Sequence, residues 1–350
     1  MTGIDDYVTG VSESSQQSSN LKDEGDKTKI LSLRLRNTTM KNSSTMRAPV
    51  KLPPMPSESI ALKTYKSINM ARSRLERDEL VFTDNDGFEK AIRHGFFLLE
   101  VPSYMNFEYG DRFAYHFFEP ATEGELRPYT GFKSCTIPGS YEGYFDRQHD
   151  QWESFRLTQK HWNLIPTEVA ILGHQMAYVG TCILRSVLNY VGIPRRDWAL
   201  VTGGCSEGQG NQNMGFNHYR SEKTTRGSKF HRDVGWVTVL RTTERGLLAY
   251  IDDELLAIDP APGYLIINFG SSIEVLTENL IKNVRANVHG VVRTERNGQR
   301  DRMSYTTSLV SDLTGNIYKY GPKGPISIQS VKEFVAQEVN RAYDDDDNTL

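Results

Sequence analysis

Three side chains in this sequence have the chemistry to hold one transition-metal ion: His231 and Asp233, two apart in FHRDVGW, and His289 in NVHGVVRT. If FHRDVGW is a strand, alternation turns His231 and Asp233 to the same face, and a histidine from a second strand completes a 2-His-1-carboxylate set. Such a set occupies one face of an octahedral ion and leaves three cis positions open, as an O₂-activating Fe(II) centre requires. A closed four-ligand zinc site leaves none. An HxD pair alone is common by chance, and a strand histidine is often just a hydrogen-bonded core or rim residue. The pair gains weight from other residues at the same spacing: Asn217 and Tyr219 in FNHYR, and Arg302 and Ser304 in RMSYTTSLV. A guanidinium accompanied by two hydroxyls can hold a carboxylate through charge-assisted, partly bidentate contacts.

The elements that must position these residues differ between the two halves of the chain. GFEKAIRHGFFLLEVP (87–102) places Phe88, Ala91 and Ile92 at helical spacing and breaks at Gly95 into an apolar run, which predicts helix, turn and strand. Residues 167–194 carry the longest helical pattern, with Val169, Leu172, Met176, Val179, Ile183, Val187 and Tyr190 on one stripe and Gly192 and Pro194 beyond its end. A scaffold helix packed on a sheet is its expected role. After Val201 short alternating or apolar runs separated by turn signals predict a mostly strand-forming half, with PAPG and RNGQ as turns. No P-loop or GxGxxG opens a βαβ unit, and GGCSEGQGNQNMG (203–215) lacks the P-loop lysine, so it is expected to be a Gly-rich surface or active-site loop.

Composition narrows the function classes. With 41 Lys+Arg against 44 Asp+Glu the net charge is -3, which provides no global basic field for nucleic acid. Hydrophobic residues at 38% and charged residues at 24% suit a soluble globular protein with some polar chain attached. Cys135, Cys182 and Cys205 show neither CxxC spacing nor a disulfide framework, so a cytoplasmic location is expected. No signal segment or apolar run of membrane-spanning length is evident. The first 45 residues are rich in Ser, Thr, Asn, Gln, Asp and Lys and are expected to be disordered, while APVKLPPMPSES (48–59) reads as an extended lead-in. The tail RAYDDDDNTL reads as a solvated end, with calcium only a weak alternative.

In its ordered motifs, the region 217–304 resembles the isopenicillin N synthase and 2-oxoglutarate-dependent dioxygenase superfamily, whose pattern is NxY, HxD, a distant His, then RxS. Here these are NHY at 217–219, HRD at 231–233, His289 and RMS at 302–304. PAPGYLIINFGSSIEVLTEN (260–279) is similar to the family's stretch between the ligands, and the likeness extends over about residues 60 to 320. Two departures stand out: Ser271 replaces the family's usual aspartate, and RTERNGQRD (293–301) lengthens the link to Arg302.

The resemblance implies a mainly β fold with flanking helices, a distorted double-stranded β-helix or jelly roll. It divides the chain into a leader (1–45), a helical and strand region packed on the barrel (46–200), a core with the iron site (201–320), and a C-terminal helix with an acidic tail (321–350). It also implies Fe(II) on His231, Asp233 and His289, with 2-oxoglutarate and O₂ as co-substrates. The far carboxylate of 2-oxoglutarate would lie on Arg302 and Ser304, with Tyr219 and Asn217 beside them. The expected activity is that of a dioxygenase oxidising an aliphatic carbon of a small specialised metabolite, amino acid or peptide, by hydroxylation, desaturation or oxidative cyclisation. Two alternatives stay open: an isopenicillin N synthase-like cyclase that needs no 2-oxoglutarate, and a non-enzymatic binding protein with a vestigial triad. Neither nucleic acid nor membrane is expected as a partner, and a monomer is allowed.

The substrate pocket is less defined. Trp236 and Arg232 have opposite parity to the ligands and are expected to point away from the metal. Phe216 and Phe269 are candidates to line the cavity. A clamp for a substrate carboxylate must then come from the N-terminal half, where Arg93, Arg112, Arg127, Lys133, Arg147 and Arg156 are equal candidates.

Overall fold

Helix, turn and strand follow one another around Gly95 in the computed structural model: Gly87–His94 is helical, Gly95 adopts φ 67°, and Phe96–Glu100 is extended. Only glycine suits the turn, because its φ is left-handed and an added Cβ would lie 2.7 Å from the Arg285 carbonyl oxygen. The structure describes residues 65–138, 141–298 and 300–343. The expected leader, the Pro-rich lead-in and the four consecutive aspartates lie outside the described residues.

In chain order the strands are β1 (Arg72–Glu76), β2 (Glu79–Phe82), β3 (Phe96–Glu100), β4 (Gly143–Asp146), β5 (Trp152–Thr158), β6 (Asn211–Tyr219), β7 (Ser228–His231), β8 (Val237–Arg241), β9 (Leu247–Ile251), β10 (Glu254–Ala257), β11 (Tyr264–Phe269), β12 (His289–Val291), β13 (Arg302–Val310), β14 (Asn316–Gly321) and β15 (Gly324–Ser330). The α-helices are α1 (Gly87–His94), α2 (Glu108–His116), α3 (Thr167–Tyr190), α4 (Trp198–Val201), α5 (Ser271–Thr277) and α6 (Val331–Tyr343).

Among the described residues, a nine-stranded sheet runs β2-β1-β3-β11-β8-β13-β6-β5-β4 and a four-stranded sheet runs β10-β9-β12-β7. Phe96, Leu98, Leu240 and Ile266 of the first pack with Leu247, Ala249 and Val291 of the second, so the two sheets enclose a common interior. This is the distorted double-stranded β-helix. β1 to β5, which precede residue 201, pair directly into the large sheet, with β5 joining β6 from Trp152↔Tyr219 to Thr158↔Asn213. The stretch 203–215, expected as a loop, is a short 3-10 turn at Cys205–Glu207 followed by the start of β6. Its polar Asn and Gln residues hide the strand from a hydrophobicity pattern, but long-range pairing with β5 and β13 supplies the backbone partners.

The outer face of the large sheet is covered by α2 and α3. Val169, Leu172, Met176, Val179, Ile183 and Val187 of α3 are buried in one cluster with Met214, Phe216, Val239, Tyr305 and Leu309 from the strands. Burial of each such side chain stabilises the fold by about 1.5–3 kcal/mol, and this apolar contact is what holds α3 on the barrel. Tyr190, the last member of the predicted stripe, instead stacks on Phe88 at 4.2 Å. Asp111 of α2 accepts hydrogen bonds from the Tyr305 hydroxyl at 2.9 Å and from Arg241 at 3.0 Å, which fixes α2 against β8 and β13.

Candidate metal centre

His231 ends β7 and His289 begins β12, and the two are direct partners in the antiparallel ladder. Pairing therefore brings together two histidines far apart in sequence. Asp233 does not lie on the strand, contrary to the alternation argument: β7 stops at His231 and Asp233 follows in irregular backbone. Its backbone carbonyl accepts the Ser271 N–H at 2.7 Å, and its carboxylate Oδ2 accepts hydrogen bonds from Thr238 Oγ1 at 2.6 Å and Asn268 Nδ2 at 2.7 Å. Those contacts turn Oδ1 toward the histidines, 3.8 Å from Nε2 of each. One ligand atom from each of the three residues lies within 4.8 Å of the others.

The protonation state suits a cation. Nδ1 of His231 lies 3.0 Å from the Lys229 carbonyl oxygen and Nδ1 of His289 3.1 Å from that of Asn287. A carbonyl only accepts, so each Nδ1 carries the proton and each Nε2 presents a lone pair to the centre. Burial, then the neighbouring His289 charge, push the His231 imidazole down to about 4 despite Asp233. Burial works to raise the Asp233 carboxyl, but His289, His231 and the Thr238 and Asn268 hydrogen bonds hold it below its ordinary value. Neutral imidazoles and an ionised carboxylate are the ligand forms a divalent metal binds. The donor set fits Fe(II), and the interior is walled by Phe96, whose edge meets the His289 ring at 5.6 Å.

The second set converges on the same interior from β6 and β13, where Arg302 pairs with Tyr219 and Ser304 with Asn217. The Arg302 guanidinium lies over the Tyr219 ring, 4.5 Å from its centroid, and its Nε donates to the Arg245 carbonyl oxygen at 3.1 Å. Arg302 is 4% exposed, and its Nη1 is buried without a hydrogen-bond partner. A buried donor left unmade costs about 1–3 kcal/mol, more when charged, so this atom marks a place built for an acceptor. Asn217 has a supporting role: its Oδ1 accepts from Trp152 Nε1 at 2.7 Å and its Nδ2 donates to Ser304 Oγ at 3.4 Å.

Thr238, Asn268 and Trp152 were not singled out by sequence reasoning. The signal available was a polar residue inside an apolar strand, as in VTVL and LIINF. Phe216 and Phe269 do not line the cavity; both face the outer cluster under α3, with Phe216 on Phe113 and Phe269 on Phe97. Trp236 is buried and donates to Ser311 Oγ at 2.9 Å, and Arg232 donates to the Ala286 carbonyl oxygen at 3.0 Å. Ser271 donates to Glu338 of α6 at 2.7 Å, so a carboxylate reaches this position from the C-terminal helix.

The six cationic candidates separate. Arg112 pairs with Glu108, Lys133 with Glu153 and Arg147 with Asp150, Arg127 is exposed, and Arg93 lies against His94. Arg156 alternates with Trp152 and Ser154 on the face of β5 that looks into the barrel.

Residues 210–310 match the family model of the 2OG-Fe(II) oxygenase superfamily. Jasmonate-induced oxygenase 3 of Arabidopsis thaliana is 28% identical over 122 residues, 34% of this chain and 29% of that protein. The 2-oxoglutarate-dependent dioxygenase ecdG of Aspergillus rugulosus is 25% identical over 224 residues, 55% of this chain and 63% of that protein. The matches thus span less than two thirds of these curated relatives. Among solved structures, JOX2 in complex with 2OG, Fe and JA superposes with a TM-score of 0.59 at 19% identity, covering 85% of this chain and 91% of that one. The dioxygenase for auxin oxidation from rice gives 0.56 at 16%, covering 78% and 96%. A full-length Neurospora crassa protein in complex with alpha-KG and thymine gives 0.55 at 14%, covering 73% and 89%. No helix among the described residues is long and apolar enough to cross a membrane. The segment that matches this family model spans both the His231, Asp233 and His289 cluster and the Arg302 pair, and the chain shares its fold with these structures.

Proposed function

We propose that this protein is a non-haem Fe(II)- and 2-oxoglutarate-dependent dioxygenase that oxidises an aliphatic carbon of a small, partly apolar organic molecule bearing a carboxylate or amine. The observation that carries the reading is the buried, unpartnered Nη1 of Arg302 in the same interior as the His231, Asp233 and His289 cluster. His231, Asp233 and His289 hold the iron, and Thr238 and Asn268 fix the carboxylate that faces it. Arg302 and Ser304 hold the distal carboxylate of 2-oxoglutarate, with the Tyr219 ring and Asn217 keeping guanidinium and hydroxyl in place. When bound, iron and 2-oxoglutarate supply O₂ activation coupled to decarboxylation of 2-oxoglutarate to succinate. The apolar wall of Phe96, Leu98, Leu240 and Ile266 excludes water and positions the substrate's carbon skeleton.

Relatives named for jasmonate induction and auxin oxidation, and structures holding JA or thymine, support a small organic substrate. Hydroxylation, desaturation and oxidative cyclisation all follow from the same site, as does an isopenicillin N synthase-like mode in which Arg302 and Ser304 hold the substrate itself. The deciding experiment measures succinate formed by the Fe(II)-loaded protein with and without 2-oxoglutarate. Strict dependence on 2-oxoglutarate supports the proposal, and oxidation of a substrate without it replaces the proposal by the cyclase mode. Product mass then separates gain of oxygen from loss of two hydrogens.

A further inference from the structure

We infer that Glu338 of the C-terminal helix α6 is a positioning residue for the metal centre: through Ser271 it holds the Asp233 backbone in place and so sets the affinity for the ion. The inference deepens the metal-centre reading and rests on it. Asp233 lies past the end of β7, so no ladder fixes its main chain. The start of α5 does so instead. The Ser271 N–H donates to the Asp233 carbonyl oxygen at 2.7 Å, and the Ser272 N–H donates to those of Val234 at 3.2 Å and Gly235 at 3.1 Å. The approach is close enough to require glycine at 270, where a Cβ would lie 2.2 Å from the Gly235 carbonyl oxygen and 2.9 Å from that of Asp233. A shift of Ser271 is therefore passed directly to the backbone of the ligand.

Glu338 holds Ser271 in turn. Its Oε2 accepts from Ser271 Oγ at 2.7 Å, both residues are buried, and Arg341 Nη1 donates to its other carboxylate oxygen at 3.0 Å. A buried carboxylate is costly unless it is paired and hydrogen-bonded, so these contacts lock Glu338 in one place. Where the family that this chain resembles usually carries an aspartate, the chain has Ser271 and brings the carboxylate from 67 residues downstream. The same helix reaches His231. It packs against β7, the last strand of the four-stranded sheet, where Lys229 Nζ donates to the Arg341 carbonyl oxygen at 3.3 Å. The Lys229 carbonyl oxygen is the acceptor for His231 Nδ1. Val331 and Phe334 of α6 are buried with Ile317, and Val234, which follows Asp233, packs beside them with Val275. One helix thus braces both ligands of the HRD segment.

The test titrates the metal-free full chain anaerobically with Fe(II) and, separately, with Co(II), whose visible absorption reports ligand geometry. Denaturant unfolding is followed on the metal-free proteins. Glu338→Ala is expected to weaken Fe(II) binding about tenfold, the low end of the cost of losing a support behind a metal ligand, and to alter the Co(II) spectrum. Glu338→Gln keeps an oxygen that can accept from Ser271, so its affinity should stay within about threefold of wild type and its spectrum unchanged. Ser271→Ala, which deletes one hydroxyl, should reproduce the loss, and it decides the role if Glu338→Ala does not fold. Wild-type affinity and spectrum in folded Glu338→Ala or Ser271→Ala would overturn the assignment. So would a loss confined to the unfolding midpoint of the metal-free protein, or a Glu338→Gln variant as weak as Glu338→Ala. Wild-type protein that binds neither ion would overturn the metal centre and this role with it. Succinate release tests the oxygenase reading by itself, and the titration decides the role of Glu338 whether or not the protein turns over.

Discussion

Two walls of one barrel use the same sheet for opposite purposes. On β3, β8 and β11 the inward face is apolar over Phe96, Leu98, Leu240 and Ile266, with Thr238 and Asn268 beside Asp233 at one end. On β5, β6 and β13 they are Arg156, Asn217, Arg302, Ser304 and Thr306, with Trp152 and Tyr219 as aromatic supports. The polar wall contributes little adhesion inward and even keeps one guanidinium nitrogen without a partner. Its strands are held instead by their outward face, where Phe155, Phe216, Met214, Tyr305 and Leu309 pack beneath α2 and α3. Stability and chemistry are thereby separated by side-chain parity: odd residues of β6 serve the site and even ones the core.

The cluster that both walls face, built from β7, β12 and Asp233, should be the most sensitive. His231→Ala, Asp233→Ala and His289→Ala are each expected to lower Fe(II) affinity by more than ~100-fold and to abolish turnover with the fold retained. Asn268→Ala, which removes only a support of Asp233, should lie within ~10–100-fold. Anaerobic Fe(II) titration checks both, and wild-type affinity in any ligand variant would remove that residue from the metal.

Breaking the outward face should do the reverse. Phe216→Ala is expected to cost about 3–5 kcal/mol of stability, read by denaturant unfolding, with the KM for 2-oxoglutarate unchanged in the folded protein. A KM change as large as the stability change would mean that the two faces are not independent.

On the inward face, Arg302→Lys should raise the KM for 2-oxoglutarate about 10–100-fold while iron affinity stays within twofold, because an ammonium cannot reproduce the planar fork. An unaltered KM would assign Arg302 to substrate or to structure.

The outward face also carries a buried carboxylate on β5. Buried Glu153 receives His218 Nδ1 at 2.7 Å, and His218 Nε2 meets Asp301 at 3.1 Å, immediately before Arg302. Burial would raise the Glu153 carboxyl, but the His218 and Tyr144 hydrogen bonds with the His218 and Lys133 charges outweigh it and hold it at about 2, below its ordinary 4.5. A carboxyl depressed on folding stabilises the native state above its unfolded pKa and loses that contribution as pH falls toward the folded value. The stabilisation, on the order of 2 kcal/mol, should therefore be complete above about pH 5 and fade between about pH 5 and 2. Glu153→Gln should flatten the stability profile in that window, and a profile as steep as the wild type's would place the acid sensitivity elsewhere.

Local spacing carried much of this molecule in the sequence. The apolar stripe of α3, the break at Gly95 and the two-residue periods of Asn217 with Tyr219 and Arg302 with Ser304 are properties of neighbouring residues, and a helix or strand expresses them directly. His231, Asp233 and His289 were identifiable by type and order alone. What tertiary structure decided is everything that depends on which distant strands pair. The ladder contact His289↔His231 assembles the centre, and Thr238 and Asn268 aim an Asp233 that alternation could not, since it lies past the strand end. Pairing of β5 with β6 turns Arg156 toward the interior, and α3 turns Phe216 outward. Period two shows that adjacent residues face opposite ways; which way is inward depends on the non-local burial of one face under helices, a contact that the strand's own residues do not contain.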